Sequence, residues 1–187
     1  MQFEVIRLIV RVQDSSKWPF FLILGPPNAG KTTLMYRLYS GIFYTAVQVY
    51  NRNVEEVRVD NVQLRTLNIV ENNLKRETWI PFAIGSSGII FVVDSTSNSI
   101  EVTRTLFQNV RAIENLKKIP LLICINKIDL KESSNFIELE LDDVQNNGRI
   151  QEISCKTTEG ILEGMMWLME KTKISFYIPT FRKLANM

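Results

Sequence analysis

The run Gly25-Pro26-Pro27-Asn28-Ala29-Gly30-Lys31-Thr32 has the spacing glycine, four residues, glycine, lysine, threonine. A loop of this kind turns backbone N–H groups toward phosphates, while Lys31 can reach the β and γ phosphates of a nucleotide and the Thr32 hydroxyl can ligate Mg²⁺. Further along stands Asn126-Lys127-Ile128-Asp129. A carboxylate such as Asp129 can accept from both N1–H and the exocyclic amine of guanine, a pair of donors that adenine does not present. Ser154-Cys155-Lys156 could add a backbone donor to the guanine O6 from Cys155. Each short motif alone is common in solvated turns; the specific signal is the three together, in this order.

These groups need elements that hold them at one edge. Phe20-Phe21-Leu22-Ile23-Leu24 is a continuous apolar run ending at Gly25, as expected of a strand covered on both faces. Residues 32–40 then form a predicted helix closed by Gly41. Residues 88–93 and 119–125 repeat the apolar pattern, the second running straight into Asn126, and residues 150–153 make a shorter strand before Ser154. Val102, Leu106, Val110 and Ile113 recur at helical spacing, as do Leu162, Met165, Met166, Leu168 and Met169 after Ile161. Val57-Arg58-Val59 and Val62-Gln63-Leu64 flank Asp60-Asn61 and predict one antiparallel hairpin. The expectation is an α/β domain of three layers, with a mostly parallel six-stranded sheet, helices on both faces and ligands at the carboxyl ends of the strands.

Composition narrows the chemistry. The 187 residues are 45% hydrophobic, enough for one globular core, and 22 Lys plus Arg against 20 Asp plus Glu leave a net charge of +2, which makes no case for nucleic acid. Histidine is absent, so hydrolase triads and zinc sites that need it drop out. Two cysteines, Cys124 and Cys155, build no disulfide framework, and a reducing cytoplasmic setting is expected. The apolar runs are far short of the roughly 20 residues of a membrane span. The first residues lack the order of a signal peptide, Gln2 stands where N-myristoylation requires glycine, and no prenylatable cysteine closes the chain.

The chain resembles a small GTPase, and more narrowly the ADP-ribosylation-factor and Arf-like group. Carrying the resemblance are Asn28 to Thr33, the stretch Gly88-Ile89-Ile90-Phe91-Val92-Val93-Asp94-Ser95, then Asn126-Lys127-Ile128-Asp129-Leu130, and Glu159-Gly160-Ile161-Leu162-Glu163-Gly164-Met165-Met166-Trp167-Leu168. It extends over about residues 18 to 173. It implies the P-loop small G protein fold, GTP/GDP and Mg²⁺ as cofactors, and nucleotide contacts by Asn28, Ala29, Gly30, Lys31, Thr32, Thr33, Asn126, Lys127, Asp129, Ser154, Cys155 and Lys156. Thr32 is the implied metal ligand, Lys127 and Lys156 flank the base, and the hairpin at Asp60-Asn61 is an interswitch. A regulatory or scaffold role through a protein effector or complex subunits, in membrane trafficking, is the implied function.

Departures from the family pattern fall in the switches. Ungapped counting back from Gly88 and Trp79 places Asn68-Ile69-Val70-Glu71-Asn72 where the family has Asp-x-Gly-Gly-Gln. Asn68 removes a charge from the Mg²⁺ second shell, Glu71 puts a carboxylate near the triphosphate, and Asn72, at the position of the catalytic glutamine, is a methylene too short to position water well. Val49 stands where the family has a Mg²⁺-binding threonine; either Thr45 reaches the metal by another path or that sensor is missing, and the second reading is favoured. Pro26-Pro27 removes two donors from the phosphate loop. Slow intrinsic hydrolysis is expected. Two further readings stay open: a regulated GTPase whose missing groups come from a partner, and a nucleotide-free scaffold.

The expected organisation is an N-terminal amphipathic segment over 1–17, a G domain over 18–174 and a C-terminal extension over 175–187. Within the first, Glu4, Arg7 and Arg11 share one helical face and Val5, Leu8, Ile9 and Val12 another, making residues 3–12 the candidate for peripheral membrane contact beside the alternative of permanent docking on the domain. Residues 133–144 are expected to hold a short helix carrying no functional claim.

Overall fold

The computed structural model describes residues 18–41, 54–67, 80, 83–96, 100–130 and 147–178. The amphipathic segment at 3–12, the helix expected within 133–144, the distal part of the C-terminal extension and the switch positions Thr45, Val49, Asn68, Glu71 and Asn72 lie outside the described residues.

Six strands form one sheet: β1 (Phe20–Leu24), β2 (Val54–Val59), β3 (Val62–Leu67), β4 (Gly88–Asp94), β5 (Leu121–Asn126) and β6 (Gly148–Glu152), ordered β2-β3-β1-β4-β5-β6. Among the described residues only β2 and β3 run antiparallel, joined at Asp60-Asn61 with Asp60 in the left-handed region at φ 53. All five residues of β1 and all seven of β4 are buried, which is why these strands read as unbroken apolar runs rather than alternating ones.

Alternation along each strand sorts the core into two layers. Phe21, Ile23, Ile90, Val92, Leu122 and Cys124 meet α1 (Lys31–Ser40) and the C-terminal helix through Leu34, Met35, Leu38, Met165 and Leu168. Phe20, Leu22, Leu24, Phe91 and Ile123 meet α2 (Ile100–Arg111) through Leu106, Phe107 and Val110 on the other face. A one-turn helix, α3 (Glu114–Lys117), follows α2, and the C-terminal helix, α4 (Ile161–Thr172), shares the face of α1. The predicted helix through Ile113 stops at Arg111: Ile113 is extended and starts the turn into α3, its N–H reaching only to Val110 O at 3.3 Å. Among the described residues no helix is long and apolar enough to cross a membrane.

Past α4, the chain returns to the core. Phe176 and Ile178 are buried in the α1/α4 layer, with the Phe176 ring centroid 5.7 Å from that of Phe21. The first residues of the C-terminal extension are therefore part of the packing of the domain.

Parallel pairing brings strand ends together. Asp94 lies opposite Asn126, Ile125 opposite Glu152, and Leu24 opposite Phe91. The loop after β1, the end of β4, the residues after β5 and those after β6 thus share one edge of the sheet, where open α/β sheets hold ligands.

Candidate functional site

Glycine is required at both ends of the loop after β1. Gly25 has φ 145, and a Cβ there would stand 2.1 Å from the Val92 carbonyl oxygen; Gly30 has φ 98, and its Cβ would stand 2.3 Å from Asn126 Nδ2. Between them Asn28 is exposed with φ 62 and Ala29 is buried. Gly30 accepts at its carbonyl from Leu34 N–H at 2.8 Å, so α1 starts directly from the loop.

Lys31, the first residue of α1, is only 5% exposed, and its Nζ donates to the Pro26 carbonyl at 2.8 Å. Burial pushes its pKa down to about 8, and Glu55 partly opposes that shift. Thr32 Oγ1 donates to Glu55 Oε2 at 3.1 Å. A hydroxyl and a carboxylate are the hard oxygen donors that Mg²⁺ takes, so this pair fits the ion implied by the sequence. Thr33, the next residue of α1, is half-buried.

Asn126 joins the loops. It is 2% exposed, its Nδ2 donates to the Ala29 carbonyl at 2.9 Å, and its Oδ1 accepts from the Cys155 N–H at 3.0 Å. Only an amide carries a donor and an acceptor on one fork, so aspartate could not make both contacts in its ionised form. The Cys155 N–H expected to meet a guanine O6 is thus directed to Asn126 in this structure. Ser154 Oγ donates to Asp129 Oδ1 at 2.7 Å and accepts from the N–H groups of Lys156 and Thr157 at 3.2 and 3.0 Å. Every hydrogen-bonding position of that hydroxyl is used, and Asp129 is held in one orientation.

The two flanking lysines differ. Lys127, at φ 72, donates to Asp94 Oδ2, whereas exposed Lys156 stands with Nζ 3.9 Å from Asp129 Oδ2. Asp94 Oδ1 accepts from Thr96 N–H at 2.9 Å and from Thr96 Oγ1 at 2.7 Å. Burial pushes the Asp94 carboxyl up, but the hydrogen bonds from Lys127 and Thr96 outweigh it and hold the pKa below the ordinary value.

The structure therefore brings Asn28, Ala29, Gly30, Lys31, Thr32, Asn126, Lys127, Asp129, Ser154, Cys155 and Lys156 to the one sheet edge, with Thr33 a residue further along α1. Sequence reasoning missed Glu55 and the part played by Asp94. For Asp94 a signal existed, since an acidic residue ends an apolar run as Asn126 does. For Glu55 none did, since Glu55-Glu56 between Val54 and Val57 reads as hairpin surface.

Comparison with known proteins gives the same outline. The chain is 33% identical over 159 residues to ADP-ribosylation factor-like protein 5A of Homo sapiens and of Rattus norvegicus, covering 82% of this chain and 89% of each relative. It is 34% identical over 161 residues to ADP-ribosylation factor-like protein 5A of Bos taurus, with the same coverage. The model of the ADP-ribosylation factor family matches residues 5–172. With its phosphate-loop spacing on β1 and α1, its Asn126-centred junction and this match over most of its length, the chain belongs to the ADP-ribosylation factor family, as an Arf-like small GTPase.

Proposed function

We propose that this protein binds GDP and GTP at the junction around Asn126, hydrolyses GTP slowly, and acts by engaging a protein partner as a regulatory or scaffold subunit in membrane trafficking. The observation that carries the reading is the bridge from Ala29 O through the Asn126 amide to Cys155 N–H, which ties a phosphate-type loop to a loop that orients Asp129. In this reading the N–H groups of residues 28–33 and Lys31 hold the phosphates, and Thr32, with Glu55 beside it, holds Mg²⁺, which neutralises phosphate charge. Asp129 accepts from N1–H and the 2-amino group, and Cys155 N–H, shared with Asn126, serves O6. A phosphate beside Lys31 would stabilise the charged form that burial disfavours there.

Slow hydrolysis is supported by Asn68, Glu71 and Asn72 at the positions that otherwise organise metal and water. A cytoplasmic protein making peripheral membrane contact through residues 3–12 fits the amphipathic pattern there.

The test is mass analysis of the nucleotide released from purified protein, followed by single-turnover hydrolysis. Guanine nucleotide and a rate constant well below about 10⁻⁴ s⁻¹ are expected. Asp129→Asn should weaken GDP by about a hundredfold or more, through loss of two charge-assisted hydrogen bonds, while gaining affinity for xanthosine diphosphate, whose O2 suits an amide donor. An unchanged GDP affinity in that variant would remove Asp129 from base recognition. A rate at or above the stated value would overturn slow hydrolysis alone.

A further inference from the structure

A charged side chain lies on the buried face of α1. Arg37 is 7% exposed and sits between Leu34 and Leu38, both in the core. A guanidinium in such a place is costly unless its donors are used. Nε donates to the Cys155 carbonyl at 2.9 Å, one terminal nitrogen to the Lys156 carbonyl at 2.7 Å, and the other to the Gly41 carbonyl at 3.1 Å. Two of these three acceptors are successive carbonyls of the loop after β6, well over a hundred residues away in the chain.

We infer that Arg37 is a positioning residue for base recognition, fixing the peptide planes of Cys155 and Lys156 so that Ser154 can hold Asp129; this rests on the guanine-nucleotide reading given above. The carbonyl of Cys155 and the N–H of Lys156 belong to one peptide unit. Arg37 holds its oxygen, and Ser154 Oγ accepts from its nitrogen. That same Ser154 hydroxyl donates to Asp129. The chain of contacts therefore runs from the phosphate-loop helix through one peptide plane to the carboxylate that reads the base edge. Asn126 makes a separate tie from the loop before α1 to Cys155 N–H, so the short Cys155–Lys156 segment is gripped through both its N–H and its C=O groups. A planar fork can serve two neighbouring carbonyls at once, whereas an ammonium is a point donor and cannot match that geometry.

The test is Arg37→Lys in the full-length protein, which keeps the charge and removes the fork. Amide hydrogen exchange should speed up at residues 154–157 and stay unchanged along β5. GDP should dissociate about tenfold faster, and the preference for GDP over inosine diphosphate, which lacks the 2-amino group read by Asp129, should shrink. Equal weakening of both diphosphates would overturn the role in base recognition and leave Arg37 as a helix-to-loop clip. Unchanged exchange at residues 154–157 would overturn the strap that Arg37 forms across the Cys155 and Lys156 carbonyls. Failure of the wild type to bind either diphosphate would overturn the guanine reading together with this role, while the exchange comparison still reports on the strap. Arg37→Gln, neutral and able to serve one carbonyl, provides the same comparison should the lysine variant not fold.

Discussion

Replacing Lys31 by methionine should stabilise the nucleotide-free protein while abolishing its phosphate binding. The ammonium is buried, its pKa falls from 10.5 to about 8, and the first cause is desolvation. At about 1.36 kcal/mol per pKa unit, a fall of this size corresponds to about 3 kcal/mol of folding free energy lost to the buried charge at pH 7. Between about pH 8 and 10.5 the unfolded chain binds more protons than the folded one, so stability rises with pH there, and by pH 10 the cost is down to about 1 kcal/mol. Methionine keeps the length of the side chain but gives up the hydrogen bond to the Pro26 carbonyl, which offsets about 1 kcal/mol. The net expectation is a variant more stable by about 2 kcal/mol at pH 7 and nearly equal to wild type at pH 10. Urea unfolding of both proteins, stripped of nucleotide, at the two pH values measures this. With saturating GDP the order should reverse, because only the wild type gains from ligand binding. A methionine variant less stable at pH 7, or a difference that does not change with pH, would show that the Lys31 ammonium is already compensated in the free protein.

Two further outcomes concern the hairpin and the C-terminal extension. Glu55→Gln removes the carboxylate that accepts from Thr32 Oγ1 and favours the charged form of Lys31. The GTP-over-GDP affinity ratio in the presence of Mg²⁺, measured by competition against a fluorescent diphosphate, should fall severalfold as the ion that screens the third phosphate loses a carboxylate; an unchanged ratio would place Glu55 outside the Mg²⁺ site. Phe176→Ala opens a cavity against Phe21 in the α1/α4 layer and should cost about 3 kcal/mol in chemical denaturation at unchanged m-value, whereas a loss under about 1 kcal/mol would mean that the core is complete without the chain beyond α4.

What could be read from residue order alone follows a physical division. β1 and β4 are buried on both sides, so their burial prints an unbroken apolar run, and Gly41 ends α1 with φ 71 where only a left-handed residue can close the turn. The phosphate-loop spacing was equally legible, because Gly25 and Gly30 have no room for a Cβ and no other residue can stand there. Contacts between buried charges leave no such trace. Which carboxylate meets Lys127 depends on β4 lying beside β5 in a register that sets Asp94 opposite Asn126, a consequence of strand order and not of local pattern. Glu55 reaches Thr32 because β3 pairs with β1 and carries β2 at the sheet edge beyond it, so a residue that looks like hairpin surface is brought to the start of α1. Arg37 offered one sequence-level clue, a cation on the stripe of Leu34 and Leu38, and a buried cation must find acceptors. That clue says a partner exists without saying where. Two of the three carbonyls that answer it come from the far end of the sheet, and their identity turns a packing detail of α1 into a link between the phosphate end and the base end of the site.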